Sequence, residues 1–257
     1  MIGAARRVVA ALALPVVLFA IWYFATENST SFYVPSLRAI LGSFGEVWTG
    51  DRLTSDVVPS VLRLLCGYLI AVVIAVSAGV VIGSNRRIRA FAEPVLEFLR
   101  AIPPPVLVPI IMLFAGIGDL MKITVIVFGC VWPVLLNTVE GVRAVDAVLL
   151  DTAHSYGIRG LARLRHLVLR SASPQIFTGM RQALSLGIIL MVISEMFAAS
   201  NGLGFAVVQF QRSFAIPEMW SGILLLGLLG VLLSLVFRLV ENRALSWYHG
   251  RRRSQRS

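Results

Sequence analysis

Long apolar runs constrain the fold of this chain more than any other feature. Each run is roughly 18 to 25 residues long, which is the length that crosses about 30 Å of hydrocarbon. Only 14% of the residues are charged and the mean hydropathy is +0.85, whereas a soluble domain carries about a quarter charged residues. The six runs lie near 8–25, 57–83, 91–117, 121–139, 174–199 and 219–240. Because backbone groups in lipid must be bonded internally, the pattern predicts an all-α integral membrane protein with six transmembrane helices.

The first run follows Arg6 and Arg7, as the apolar part of a signal peptide would. It is long for a signal peptide, and the residues from Tyr23 to Thr26 offer no small-residue cleavage site. We therefore expect a retained membrane anchor.

Basic residues are divided unequally between the two sets of loops. Fifteen lie on the side of the termini: Arg6, Arg7, Arg86, Arg87, Arg89, Arg143, Arg159, Arg163, Arg165, Arg170, Arg243, Arg251, Arg252, Arg253 and Arg256. The opposite side holds five: Arg38, Arg52, Arg63, Lys122 and Arg212. This bias predicts that both termini are cytoplasmic. The basic tail could bind nucleic acid, but a topology anchor that contacts anionic membrane lipid is the favoured interpretation, so no nucleic-acid partner is expected.

A polar segment at 146–170 interrupts the apolar pattern between the fourth and fifth runs. It carries several arginines, two glycines at 157 and 160, and apolar residues at helical spacing on its second half: Leu161, Leu164, Leu167 and Val168. The pattern predicts two short amphipathic helices outside the bilayer. An apolar stripe on such a loop needs either a partner protein or the membrane surface to cover it.

Motifs for catalysis are missing. The one lysine, Lys122, does not close a glycine-rich phosphate loop, so nucleotide hydrolysis would require a separate subunit. Cys66 and Cys130 fall within apolar runs, and the three histidines show no ligand spacing, so no metal site is predicted. We expect a chain that is not an enzyme and binds no cofactor of its own.

Motifs in a fixed order carry a family resemblance. The polar segment resembles the EAA loop of bacterial ABC importer permeases, with Asp151-Thr152-Ala153, then Gly157, then 167–170. An aspartate replaces the usual glutamate of that loop, and Arg170 stands where its closing proline would be. Further matches over Ser60 to Val240 are Ser60 to Arg63 with Gly67, Pro94, Leu99 to Pro103, Pro109, Phe114 to Gly118, Pro133, Asn137, Gly141, Pro174, Gly179 to Arg181, Glu195 and Gly202 to Gly204. The combination is similar to the subfamily that imports sulfonates, taurine, nitrate and related small, often anionic or heterocyclic compounds.

The resemblance implies the type I importer permease fold with cytoplasmic coupling helices. It implies a bacterial inner-membrane homodimer that works with two cytoplasmic ATPase subunits and an extracytoplasmic substrate-binding protein, with ATP and Mg on the ATPases. The domains would be an anchor with an external amphipathic segment (1–56), the permease domain (57–243) and a basic tail (244–257). The alternative is an ion-coupled secondary transporter, which would need intramembrane carboxylates at matched positions of two repeats.

Candidate site residues follow from the resemblance and from local chemistry. Those expected to couple to the ATPase are Asp151, Ala153, Gly157, Arg159, Leu161, Leu164 and Arg165. Those expected along the pathway or gate are Pro103, Pro104, Asn137, Glu195, Gly202 and Gly204. The prolines at 103–105 predict a broken third span beside the pathway, with a tolerated kink as the alternative. Glu97 and Arg100 are expected to pair along that helix.

Glu195 lies among apolar residues, with no basic residue within helical reach. A carboxylate at membrane depth is costly unless it faces a cavity, the bundle interior or a partner. Ser194 or Asn137 could hydrogen-bond to it. A gating role and a structural hydrogen bond both remain open.

Overall fold

The computed structural model describes residues 2–27, 29, 31–197 and 199–248, with side chains from residue 13 onward. Residues 249–257, which include most of the predicted basic tail, lie outside the described residues. Within the described part, the chain forms ten helices: α1 Ile2–Thr26, α2 Leu37–Trp48, α3 Leu53–Ser84, α4 Arg86–Ala101, α5 Pro104–Ala115, α6 Asp119–Arg143, α7 Ala147–Ser155, α8 Gly160–Phe197, α9 Leu203–Arg212 and α10 Ile216–Ala244. The predicted all-α membrane fold is confirmed.

The described residues match only part of the predicted number of spans. Among them, four helices are long and apolar enough to cross a membrane, namely α3, α6, α8 and α10. The pair α4 and α5 makes a fifth only if it counts as one bent span. In α1 the apolar stretch of described side chains is shorter, Ala13–Thr26. The predicted count of six is therefore not fully confirmed.

The third predicted span is broken, as expected. The chain bends by 80° between α4 and α5, where Ile102 and Pro103 adopt extended backbone conformations. Proline removes a backbone donor and clashes with the preceding turn, so the helix cannot continue. Helix α4 is strongly amphipathic and buries none of its residues, and its Glu97 and Arg100 pair as predicted. The predicted span over 91–117 therefore holds only if α4 and α5 count together as one bent span.

Three long helices form the core. Glycines of α3 meet α6 side chains so closely that a Cβ at Gly67 would lie 2.8 Å from Ile126 and one at Gly79 would lie 2.7 Å from Thr138. Gly179 of α8 approaches the Pro133 carbonyl of α6 in the same way. Small residues let helices in a membrane pack with their backbones close together. The glycine contacts hold α3, α6 and α8 together along their length.

The bundle has two distinct ends. At the end that we call the α9 end, α3 and α6 begin and α8 finishes next to α9. At the opposite end, which we call the α7 end, α3 and α6 finish and α8 begins after α7. The candidate site residues fall into groups at these two ends and on the α6–α8 face between them.

Candidate functional site

A tight turn closes α7. Asp146 is the N-cap of this helix, and its carboxylate accepts from the Val148 amide at 2.9 Å. After the C-cap Tyr156, Gly157 lies at φ +69°, the left-handed region that glycine adopts without steric cost. The Ile158 amide donates to Ala153 O at 2.8 Å and the Gly157 amide donates to His154 O at 3.0 Å, the bond pair of a Schellman motif. The predicted break at Gly157 is confirmed.

The second half of the polar segment differs from its prediction. Helix α8 begins at Gly160, at φ +56°, and runs without interruption from this segment into the long span. Val168 is buried in a cluster with Val142, Val145, Ala172 and Ile176, and Leu164 and Leu167 pack against that cluster. The prediction of a separate second amphipathic helix, with an apolar stripe that faces wholly outward, is therefore wrong. The stripe belongs largely to the interior of this chain.

Other apolar side chains project from the polar segment. We define the α7 surface as Val148, Leu149, Tyr156, Ile158 and Leu161, all of which are exposed. Tyr156 is 80% and Leu161 is 77% exposed. Asp151, Arg159 and Arg165 are exposed beside it and make no ion pair within the described residues, while Ala153 is buried beneath. The predicted coupling residues thus share one region, although Ala153 is buried and Leu164 is partly buried.

Amide side chains meet between α6 and α8. Asn137 donates to Pro133 O at 2.8 Å and to Gln182 at 3.3 Å, and it accepts from Gln175 at 2.9 Å. Gln175, Thr178, Gln182 and Ser185 form an exposed polar stripe along α8. Pro103 and Pro104 lie at the bend between α4 and α5 and take no part in these bonds. Asn137 is therefore part of a polar face rather than a partner of Glu195.

Glu195 is not an isolated charge. It is 1% exposed, and one carboxylate oxygen accepts from Arg63 Nη1 at 2.9 Å. The Ser60 hydroxyl lies 2.7 and 2.9 Å from its two oxygens. Ser194, which we expected as a partner, bonds to the Met191 carbonyl instead. The carboxylate is buried because a buried arginine from α3 matches its charge.

Glu195 and two neighbouring side chains cap the start of α9. The Gly202 amide donates to Asp56 at 2.9 Å, the Leu203 amide to Ser60 Oγ at 2.8 Å and the Gly204 amide to Glu195 at 3.0 Å. A helix start leaves such amides without partners in its own helix. Gly202, at φ +119°, caps α9, and Leu203 and Gly204 form its first turn. We call Asp56, Ser60, Arg63 and Glu195 the α9 clamp.

Arg63 extends the clamp to α6. Its Nε donates to Asp119 at 2.8 Å, and its Nη2 donates to the Asn201 side chain at 2.6 Å. From the sequence, Arg63 was counted as a charge near a span end and as part of a family motif, but it was not paired with Glu195. The available signal was that Arg63 and Glu195 both lie within about three turns of a helix end on the same side of the membrane.

Comparison with known proteins agrees with this architecture. The family described as binding-protein-dependent transport system inner membrane component matches residues 67–245. The aliphatic sulfonates transport permease SsuC of Bacillus subtilis, itself named putative, is 27% identical over 240 residues, which are 92% of this chain and 86% of that protein. The taurine transport system permease TauC of Escherichia coli is 30% identical over 189 residues, which are 74% of this chain and 69% of that protein.

A solved structure shares the fold. The MetNI methionine ABC transporter in inward-facing conformations superposes with a TM-score of 0.63 at 17% identity, over 74% of this chain and 94% of the matched chain. The family match covers most of the chain and contains α6, α7 and α8 entirely. The resemblance stated from the motifs is confirmed, and this chain belongs to the family of inner-membrane components of binding-protein-dependent transport systems.

Proposed function

We propose that this chain is the permease subunit of an ATP-driven importer for a small solute with an oxyanion group, of the sulfonate and taurine kind. The observation that carries the proposal is the α7 surface, an exposed apolar patch beside arginines that make no ion pair among the described residues, in a family of transport components. Two relatives are named for aliphatic sulfonates and taurine, and both compounds carry a sulfonate. Selectivity among such solutes would rest largely with a binding protein.

In this proposal two ATPase subunits, with ATP and Mg, bind the α7 surface of two permease copies. Val148, Tyr156 and Leu161 would enter a cleft of the ATPase, while Arg159 and Arg165 would meet acidic groups at its rim. The Schellman turn at Gly157 holds the patch in one shape. Movement of the ATPases would then reach α8 directly, because α8 is continuous from Gly160 to Phe197.

The pathway would run along the polar face of α6 and α8. Gln175 and Gln182 are exposed in the single chain and Asn137 is half-buried beside them, and polar groups within a membrane must be covered by protein or line a cavity. A second copy of the chain would enclose this face. The break at Pro103 and Pro104 would border the same pathway, and Glu195, Gly202 and Gly204 would close it at the α9 end, where a binding protein docks.

The experiment that tests the function is uptake by the permease purified with its ATPase and reconstituted in vesicles. We expect uptake of a small sulfonate to require ATP and the binding protein. Gly157→Leu forces a side chain into a left-handed turn at a cost of about 1 to 2 kcal/mol, so uptake should fall severalfold while the protein still inserts. Gly157→Asn, which tolerates the turn, is the control and should transport. Uptake driven by an ion gradient without ATP would favour the secondary transporter.

Orientation gives a further expected result. The loop bias places Ser155 in the cytoplasm and Thr49 outside, and both residues are exposed. In a variant without Cys66 and Cys130, an impermeant thiol reagent applied to intact cells should label Thr49→Cys and spare Ser155→Cys. Broken cells, in which both cysteines react, provide the control. The reverse labelling in intact cells would overturn this topology.

A further inference from the structure

A cavity of about 530 Å³ opens beside the α9 clamp. Its lining comes from α3, from the start of α6 and from the segment that follows α8, and its polar members are Arg63, Asp119, Lys122, Ser200 and Asn201. The volume falls in the range of small-molecule sites. The cavity therefore has the size and the polar groups needed to hold a small charged compound.

Lys122 faces this cavity with most of its hydrogen-bonding capacity unused. Its side chain is only 4% exposed, and its nearest carboxylate oxygen, Asp119 Oδ1, lies 3.8 Å away, beyond hydrogen-bond distance. Within the described residues the ammonium forms an ion pair with the Asp119 carboxylate but makes no hydrogen bond, although it carries three donors. These donors remain available to a ligand that enters the cavity. Lys122 is thus a buried donor group directed at a cavity.

The cavity borders two cationic side chains and the start of α6, and the carboxylates of Asp119 and Glu195 offset part of this positive charge. Helix α6, 25 residues long, begins at Asp119, and its N-cap Gly118 has no side chain to bond the first amides. The positive end of the helix dipole therefore points into the cavity wall. Arg63 adds a second positive charge, but its own donors are engaged by Asp119, Glu195 and Asn201. The free donors belong to Lys122 and the α6 start.

We propose that this cavity binds the oxyanion group of the transported solute, with Lys122 and the start of α6 as its main contacts. The proposal rests on the function proposed above and names where this chain would meet the solute. Asp119, which is 65% exposed, opposes an anion and keeps the binding weak. Weak binding suits transport, because a solute must leave a site as readily as it enters.

The test uses a thiol reagent that itself carries a sulfonate group. In the purified permease–ATPase complex without Cys66 and Cys130, Ser200→Cys is reacted with an anionic sulfonatoethyl methanethiosulfonate and with its cationic trimethylammonium counterpart. We expect Lys122→Met to lower the ratio of anionic to cationic rates at least about fivefold, because the attraction of one nearby charge is lost. Lys122→Arg should preserve the ratio. The matched control Arg212→Met removes an exposed charge at the same end, outside this cavity, and should leave the ratio unchanged.

Protection provides a second measurement that needs no change at Lys122. Ethanesulfonate should slow the labelling of Ser200→Cys with a half-effect in the millimolar range, and uncharged dimethyl sulfone should not. Protection should be the same in detergent and in phosphatidylcholine discs. Protection that is lost in the discs would assign the site to a lipid phosphate and overturn the proposal, as would a ratio unaffected by Lys122→Met or the absence of protection. None of these readouts depends on transport, so the site can fail while the proposed function stands.

Discussion

Replacing Glu195 with leucine is expected to remove most of the folded permease from the membrane. The substitution leaves Arg63, which is 4% exposed, with only Asp119 as a charged partner, and it deprives the Gly204 amide of its acceptor. Breaking one side of a buried ion pair costs about 3 to 5 kcal/mol, a large part of the stability of an ordinary domain. The measurement is the yield of monodisperse protein after detergent extraction and its thermal stability. We expect a loss of at least severalfold in yield.

Two further variants sharpen this prediction. Glu97→Leu breaks the exposed pair with Arg100 and should change the stability by less than about 1 kcal/mol. Glu195→Gln keeps acceptors for Arg63 and Ser60, so more of it should fold. If folded Glu195→Gln transports normally, the carboxylate is structural. If it assembles yet transports or hydrolyses ATP at an altered rate, Glu195 acts in gating. A Glu195→Leu protein as stable as the wild type would contradict the clamp.

Local chemistry was enough to predict the long helices. Apolar length predicts α3, α6, α8 and α10, and the prolines at 103–105 predict the bend, because both effects act within a few turns of the chain. The turn at Gly157 was predictable for the same reason, since only the backbone conformation of one residue is at issue. These features do not depend on which helices become neighbours.

The errors come from pairing between distant segments. Glu195 was interpreted as an isolated charge because its partners, Ser60 and Arg63, lie more than 130 residues away. Val168 was assigned to an outward stripe because helical spacing gives a face but not the neighbour of that face; Val142 and Ala172 cover it. Each error concerns which helix surfaces are in contact. The spacing of residues along the chain does not contain that information.

The second large effect is expected from Gly179→Leu, which should cause a loss of folded protein because it disturbs the packing between α6 and α8. A Cβ at Gly179 would lie 2.6 Å from the Pro133 carbonyl oxygen and 2.8 Å from Asn137 Cβ, and two of the three nearest atoms are backbone. The helices can accept leucine only by moving apart, which would open the contacts along their whole length and the Asn137 bond to the Pro133 carbonyl. Overpacking of this kind costs about 3 kcal/mol or more. Thermal stability and extraction yield of the purified protein measure it.

The same change at Gly227 isolates the cause. Gly227 lies on α10 with nothing within 4 Å of its Cβ position, so Gly227→Leu adds an apolar side chain to an exposed helix face and should leave the yield unchanged. Both variants lose a helical glycine and gain a leucine, so propensity and hydrophobicity are matched. A difference between them therefore reports the close approach of α6 and α8. Equal stability of the two variants would mean that Gly179 does not hold these helices together, and the glycine-mediated core would have to be abandoned.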